Sequence, residues 1–316
     1  MFLVVLDEYN RQIPKVIEDY ICSLNIITKV INISDINQQL NKYPNEYFIF
    51  TQMILETSFF TSQINSPILS SDRIIFLNVE MLTEEKRFNR MLDIIKYTNF
   101  SIADYSVENI HFLTNMLKNE KFSNKIIYLP YQFNLKENLV LTNYDDIYEY
   151  DIGIINAYVE KSDTVDSSLT YRRNRIWEAL QKEDTIKTVN IMGWNEERDK
   201  LIKKCKIIMN VHHFECFNIH ECIRCDRLVF AKKLIISDNS IYQDKTDTYD
   251  FIIYSEYDNL IEKAKSVLDN FHIFNMTMKN TFLEPIIENR KQLLRDNINL
   301  AMSNVDTKVV NQSKLL

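Results

Sequence analysis

Short apolar runs alternate with helical patterns along most of this 316-residue chain. The runs are rich in Ile, Val, Leu and Phe, so the strands they predict have two apolar faces. Strands buried on both faces are typical of parallel sheets that helices cover on both sides. The predicted strands are 2–6, 26–33, 47–52, 73–79, 100–104, 125–129, 151–156, 187–192, 206–211, 234–237 and 251–255. The predicted helices are 14–22, 34–41, 84–97, 106–119, 171–182, 195–204, 219–231, 257–270 and 275–303.

The alternation pauses once, and the pause suggests two domains. Residues 133–150 are polar, follow Pro130 and contain the pair Asp145–Asp146, so we interpret them as a linker region. We therefore expect two Rossmann-like, doubly wound α/β domains facing a cleft, with a C-terminal helix crossing back. The expected boundaries are 1–140 for the N-terminal domain, 150–272 for the second domain, and 273–316 for a terminal helix and tail that pack on the first.

Glycine is scarce, and its scarcity excludes several nucleotide-binding classes. The chain has two glycines, Gly153 and Gly193, so it contains no G-x-G-x-x-G, Walker A or kinase glycine-rich loop. The net charge of −7 argues against a dedicated nucleic-acid binder, which usually carries a basic face. No run approaches the ~20 apolar residues of a membrane helix. With five cysteines, an odd number, we expect reduced thiols and a cytoplasmic location, in a host cell if the protein is viral.

Polar and charged residues follow the strand at 206–211. Asn210 and His212 come at its carboxyl end, where ligands of parallel sheets bind, and Glu221 and Arg224 open the next predicted helix. A helix N-terminus with arginines suits a phosphate, and a neighbouring carboxylate suits ribose hydroxyls. The alternative is that Glu221 and Arg224 form an ordinary surface pair three residues apart.

A succession of short motifs in the second half resembles a known family. The motif residues are Arg172–Arg173, Gly193–Trp194, Glu197–Arg198–Asp199, Asn210–Val211–His212, Glu221 with Arg224, and Ser237–Asp238. This order resembles the carboxyl-terminal domain of GT-B glycosyltransferases, in particular the glycosyltransferase 1/4-like proteins of large DNA viruses and bacteria. In the first half, Asp104–Tyr105–Ser106 with Asn109 is similar to a D-Y-S..N pattern of that group.

The resemblance implies a GT-B fold and a glycosyltransferase. Such an enzyme moves a hexose-type sugar from a nucleotide sugar, UDP- or GDP-linked, to a glycan or protein-linked acceptor, without a metal or other cofactor. Glu221 matches the glutamate that binds the ribose, and Arg172, Arg173 and Arg198 match the cations of the diphosphate. The other predicted donor-binding residues are Gly193, Trp194, Asn210, Arg224 and Ser237.

Three residues are candidates for the chemical step. His212 matches a position near the sugar or the diphosphate. Glu80 and Asp104 end strands of the first half and could accept a proton from the acceptor hydroxyl. Position 213 is His, where the retaining signature of the family has Glu, so the resemblance leaves the stereochemical outcome open.

A second hypothesis comes from a different class of protein. Six potential zinc ligands fall within residues 212–225: His212, His213, Cys216, His220, Cys222 and Cys225. They would suit a non-catalytic nucleotide- or glycan-binding protein with a His/Cys zinc site. The chain has no D-x-D triplet, which favours the metal-free glycosyltransferase over metal-dependent ones.

Overall fold

A computed structural model describes residues 2–6, 24, 27–32, 36–51, 71–118, 125–155, 171–193, 196–216 and 218–302. The chain divides into two compact units. The first unit holds the described residues up to Gln132 and those from Ile287 onward, and the second runs from Phe133 to Ile286. The helix predicted at 14–22 lies outside the described residues.

The first unit contains a six-stranded parallel sheet in the order β2-β1-β3-β4-β5-β6. Its strands are β1 (Phe2–Leu6), β2 (Ile27–Asn32), β3 (Tyr47–Thr51), β4 (Ile74–Asn78), β5 (Ser101–Asp104) and β6 (Ile126–Tyr128). Its first three described helices are α1 (Ile36–Lys42), α2 (Glu85–Tyr97) and α3 (Val107–Met116). Every residue of β4 and β5 is buried, as expected for strands covered on both faces.

The second unit contains a five-stranded parallel sheet in the order β8-β7-β9-β10-β11. Its strands are β7 (Tyr150–Ile155), β8 (Thr188–Ile191), β9 (Cys205–Asn210), β10 (Leu234–Asp238) and β11 (Ile253–Ser255). Its helices are α4 (Leu135–Leu141), α5 (Tyr171–Leu180), α6 (Glu196–Lys203), α7 (Cys222–Phe230), α8 (Leu260–Asp269) and α9 (Phe271–Lys279). A final helix, α10 (Glu284–Met302), begins in this unit and continues into the first.

Both sheets share one connectivity. In each, the first strand lies between the second and the third, as in doubly wound folds of the flavodoxin type. In the second unit the strand order therefore reverses between β7 and β9. Gly153 of β7 allows close packing there, because a Cβ atom would lie 2.6 Å from both Cys205 Sγ and Ile191 Cδ1, and these side chains would have to shift. The predicted parallel α/β architecture is confirmed, and each predicted strand is present with its ends shifted by at most two residues.

The linker prediction for residues 133–150 is partly wrong, because the segment contains helix α4. Asn134 caps this helix by accepting hydrogen bonds from the backbone N–H groups of Lys136 and Glu137. The buried Glu137 side chain then pairs with Arg227 of α7. The polar composition of the segment concealed a short helix that combines a local cap at Asn134 with a tertiary ion pair at Glu137.

The terminal stretch predicted as one helix from 275 to 303 is two helices. Helix α9 ends at Lys279 and α10 begins at Glu284. Pro285 lies in the first turn of α10, the one part of a helix where a residue without an N–H is well tolerated. The units divide after Gln132 and after Ile286, whereas the sequence pattern predicts boundaries near 140–150 and at 273.

Helix α10 packs on the first unit through buried polar contacts. Arg290, which is 1% exposed, donates from Nη1 to the Tyr131 carbonyl oxygen at 2.9 Å. Asn297 donates from Nδ2 to the Tyr128 carbonyl oxygen at 2.7 Å. No helix among the described residues is long and apolar enough to cross a membrane.

Candidate functional site

A cavity of the second unit lies at the carboxyl ends of its strands. It has a volume of about 700 Å³ and opens beyond β9, β10 and β11, next to the first turns of α5. Its lining residues are Arg172, Arg175, His212, His213, Phe214, Glu215, Asn218, Asp238, Asn239, Glu256, Tyr257 and Asp258. This edge of a doubly wound sheet is where ligands bind, so the cavity is the candidate site.

Asp238 is held between a histidine and an arginine on one wall of the cavity. Arg172 donates from Nη2 to Asp238 Oδ2 at 2.8 Å. The backbone N–H of His212 donates to Asp238 Oδ1 at 3.0 Å, and the Nδ1 atom of its ring lies 2.7 Å from the same oxygen. The ring is also fixed at Nε2, 2.9 Å from the Ile219 carbonyl oxygen. His212 is therefore buried and rigidly placed against Asp238.

Tyr257 fixes the position of Arg172. The Arg172 guanidinium lies 4.0 Å from the centroid of the Tyr257 ring, and the Tyr257 hydroxyl donates to the Arg172 carbonyl oxygen at 2.8 Å. A guanidinium stacked on an aromatic face retains edge donors for other partners. Among these donors, Arg172 Nε is buried and has no hydrogen-bond partner among the described residues.

A second group of predicted residues lies beneath this wall. Glu221 contacts two arginines: Oε2 accepts from Arg224 Nη1, and Oε1 lies 3.5 Å from Arg173 Nη2. Arg224 Nη1 also donates to Asn210 Oδ1 at 3.0 Å, and Asn210 Nδ2 donates to Ser237 Oγ at 3.0 Å. The structure thus brings five of the predicted donor-binding residues into one buried network.

Neighbouring charges lower the pKa of Glu221 in this network and of Asp238 on the cavity wall. Burial by itself would raise the pKa of Glu221, but the neighbouring charges of Arg224 and Arg173 hold it below its usual value. Burial likewise opposes ionisation of Asp238, yet hydrogen bonds from His212 and Arg172 lower its pKa. Burial lowers the pKa of Arg173 to about 10, so this side chain stays cationic at neutral pH.

Arg172 lies on the cavity wall, and two further predicted donor-binding residues, Arg198 and Gly193, belong neither to this wall nor to the network. Arg198 is buried elsewhere, donating from Nε to Asp199 Oδ1 at 2.8 Å. Gly193 follows β8, is exposed and adopts a left-handed backbone with φ of 83°. Trp194 lies outside the described residues.

The first unit holds Glu80 and Asp104. Asp104 ends β5, and Glu80 comes two residues after the adjacent strand β4. Asp104 is 2% exposed and accepts from Asn78 Nδ2 at 2.6 Å, from the Ser106 N–H at 2.8 Å and from Asn109 Nδ2 at 3.1 Å. Burial nevertheless raises the pKa of Asp104 to about 7. The Glu80 side chain is 39% exposed and pairs with Arg87.

Two of the six potential zinc ligands approach each other, together with an aspartate. Each of His220, Cys222 and Asp226 offers one possible ligand atom, and these three atoms lie within 4.8 Å of one another. All three residues are buried. His220 Nε2 lies 2.9 Å from Asp226 Oδ1, and Nδ1 lies 3.3 Å from the Tyr254 hydroxyl. These contacts give both ring nitrogens a protein partner without a metal ion.

Sequence reasoning missed Arg175 and the residues that follow β10 and β11. Arg175 is exposed one turn after Arg172, at a spacing that places both on one helix face. That spacing was a signal that could have been used. Asn239 and Glu256 lie in loops, and Tyr257 begins a short 3-10 helix (Tyr257–Asn259). Their approach to β9 depends on strand order, which local sequence does not encode.

The chain is similar to viral proteins. No family model matches it. One protein of Acanthamoeba polyphaga mimivirus, described as uncharacterized, is 29% identical over 266 residues, which are 81% of this chain and 77% of that protein. Two longer mimiviral proteins with the same description are 30% identical over 257 and 243 residues. The chain covers 26% and 29% of their lengths, so each of these two relatives is much longer than the segment it shares with this chain.

Proposed function

We propose that the chain is a GT-B glycosyltransferase whose second unit binds a nucleoside-diphosphate sugar, UDP- or GDP-linked. The observation that carries the proposal is the cavity of about 700 Å³ at the carboxyl edge of the second sheet, with Arg172 and Arg175 on one wall. Its size suits a nucleotide-sized ligand. Its walls carry both cations and carboxylates, and the carboxylates can accept hydrogen bonds from sugar hydroxyl groups. The motif order of the second half, which resembles this family, also supports the proposal.

In the proposed reaction, the diphosphate leaves as negative charge develops on it. Arg172 and Arg175 would stabilise that charge through charge-assisted hydrogen bonds, and no metal is needed for this role. The stacking of Arg172 on Tyr257 fixes its guanidinium before the donor binds, which lowers the cost of ordering it. His212 and Asp238 would act indirectly, because Asp238 orients Arg172.

The acceptor is a glycan or a protein-linked sugar, and one carboxylate of the first unit would receive the proton of its hydroxyl. Glu80 is the accessible candidate, whereas Asp104 is enclosed by amide donors. We therefore assign proton acceptance to Glu80 and a supporting role to Asp104. A Glu80→Gln variant should bind donor normally and lose most of its turnover with acceptor.

The first experiment is thermal unfolding with a panel of UDP-, GDP-, CMP- and dTDP-sugars, with and without EDTA. A donor at 100 times its Kd should add ~2.7 kcal/mol to the free energy of unfolding. A shift with one nucleotide class that EDTA leaves unchanged would support the proposal and identify the base. Absence of a shift with every donor would refute it.

Arg175 offers a test that separates binding from stability. An Arg175→Gln variant should bind the donor about 10-fold more weakly, because one charge-assisted hydrogen bond to phosphate is lost. Its thermal stability without donor should be unchanged, since Arg175 is exposed. The matched control is Arg295→Gln on α10, an exposed arginine that does not line the cavity. Equal donor affinity in both variants would remove Arg175 from the site.

The alternative proposal is a non-catalytic nucleotide- or glycan-binding protein with a metal site. The approach of His220, Cys222 and Asp226 is the observation that favours it. Metal analysis of the purified protein, with Cys222→Ser as the comparison, tests this alternative. One equivalent of zinc that is lost in the variant would support it, and donor turnover insensitive to chelator would exclude it.

A further inference from the structure

A second cavity of the second unit lies at the opposite edge of its sheet. It has a volume of about 190 Å³ and is reached from the amino ends of β9 and β10, where Lys206 and Leu234 stand. Its lining residues are Thr142, Asn143, Tyr144, Tyr148, Lys206, Ala231, Lys232, Lys233, Leu234, Asn275 and Lys279. We call it the basic cavity, because four of these residues are lysines and none is acidic.

Among the residues that the structure describes, two of the four lysines have carboxylate partners. Lys206 pairs with Asp151 at 2.7 Å, and Lys279 pairs with Asp146. Lys232 and Lys233 form no ion pair with any described residue. Their ammonium groups bond to carbonyl oxygens instead, which carry no net charge.

Of these two lysines, Lys233 has the charge whose burial costs more free energy. It is 4% exposed, and its Nζ donates to the Cys205 carbonyl oxygen at 2.7 Å and to the Lys203 carbonyl oxygen at 3.2 Å. A buried ammonium without a counter-charge is strongly disfavoured. Burial accordingly lowers the pKa of Lys233 to about 8. An anion in the adjoining cavity would supply the missing charge.

We propose that the basic cavity is a binding site for a small phosphate-type oxyanion, separate from the donor site. An oxyanion there would accept hydrogen bonds from Lys232 and Lys233 and balance the two cations that lack carboxylates. The cavity is large enough for one such group and too small for a nucleotide. A local excess of positive charge in a chain of net charge −7 is the electrostatic pattern of an anion site.

Binding at this site should be linked to protonation of Lys233. The titratable and charged groups that face Lys233 are Cys205, Asp146, Tyr148, Lys279 and Lys203. Of these, Asp146 is the one anion, and it is already paired with Lys279. Burial raises the pKa of Cys205 to about 12, so that thiol stays neutral. A bound oxyanion would therefore raise the pKa of Lys233, and the protein should take up protons when it binds above pH 8.

The test is titration calorimetry of the full chain with sulfate at pH 8.5, in two buffers that differ in ionisation enthalpy. Sulfate does not titrate in this range, so any buffer-dependent heat reports protons taken up by the protein. Inorganic phosphate in a second series shows whether the site accepts the phosphate group itself. Sodium chloride at equal ionic strength serves as the blank.

Variants assign the heat to the cavity. Lys232→Gln should weaken sulfate binding about tenfold, because a charge-assisted hydrogen bond is lost. Lys233→Met should abolish the proton uptake. The control Lys263→Gln removes an exposed charge from α8, which does not line the cavity, and should change neither quantity.

The outcomes are distinct. Saturable binding with proton uptake, lost in the cavity variants and kept in the control, would support the site even if no nucleotide sugar binds. Absence of saturable binding in the wild-type protein would overturn it. Binding that Lys232→Gln leaves unchanged would also overturn it, and this result remains decisive if Lys233→Met fails to fold.

Discussion

At the scale of single residues, Glu221 could either bind the ribose or neutralise buried arginines, and a variant distinguishes these two roles. The family resemblance assigns it to the ribose, whereas in the structure its two oxygens lie next to Arg173 and Arg224. Glu221→Gln should lower the free energy of unfolding by about 3 kcal/mol, because Arg173 would remain buried without its counter-charge. Urea denaturation measures this, with the exposed Glu178→Gln on α5 as control. Unchanged stability together with weaker donor binding would instead favour the ribose assignment.

The buried Asp104 carboxyl group should make the stability of the protein depend on pH. Its folded-state pKa of about 7 exceeds the value of about 3.9 for an unfolded chain, so folding favours its protonated form. The stability that this group contributes is therefore complete below pH 4 and is lost as the pH rises towards 7. The difference corresponds to a loss on the order of 4 kcal/mol at 1.36 kcal/mol per pKa unit. Asp104→Asn should flatten this part of the pH–stability curve, and an unchanged slope would show that other groups produce it.

At the scale of elements, buried ion pairs join three helices of the second unit. Arg227 of α7 pairs with Glu137 of α4 and with Asp199 of α6, where Arg198 also binds. Arg227→Met should lower the free energy of unfolding by about 3–5 kcal/mol, because Glu137 loses its cation in a buried environment. The exposed pair of Lys200 with Glu197 provides the control: Lys200→Gln should lower the free energy of unfolding far less than Arg227→Met does, because water screens an exposed ion pair. Similar losses in both variants would contradict the burial argument.

The same elements show which parts of the structure the sequence predicts. The strands were predictable because their apolar runs reflect burial on both faces, and Asn210, His212 and Glu221 were predictable because they follow such a strand. Helix α4 was not, since Glu137 is stabilised by a residue 90 positions away, Arg227. Glu256 and Tyr257 follow the three-residue strand β11, and their place in the cavity is set by the pairing of β10 with β11. Such long-range pairing leaves no local pattern.

At the scale of the whole molecule, the chain returns to its first unit through α10. Three described side chains of the first unit donate hydrogen bonds to backbone carbonyl groups of this helix: Gln132 to Arg290, Lys125 to Ala301 and Tyr47 to Met302. The backbone carbonyl oxygen of Tyr131 accepts a hydrogen bond from Arg290 Nη1. The first unit is thus closed by residues that follow the second unit in sequence. Its stability should depend on the last part of the chain, while that of the second unit should not.

A chain truncated after Ile286 tests this dependence. Removing α10 exposes its apolar contacts and leaves the Tyr128 and Tyr131 carbonyl groups without their helix partners, so the first unit should lose cooperative folding. Hydrogen exchange should show loss of amide protection in β4 and β5 and retention in β9 and β10. A chain ending at Met302, which keeps the whole helix, is the matched control and should retain protection in both sheets. Protected β4 and β5 amides in the shorter chain would mean that the first unit completes its core without α10.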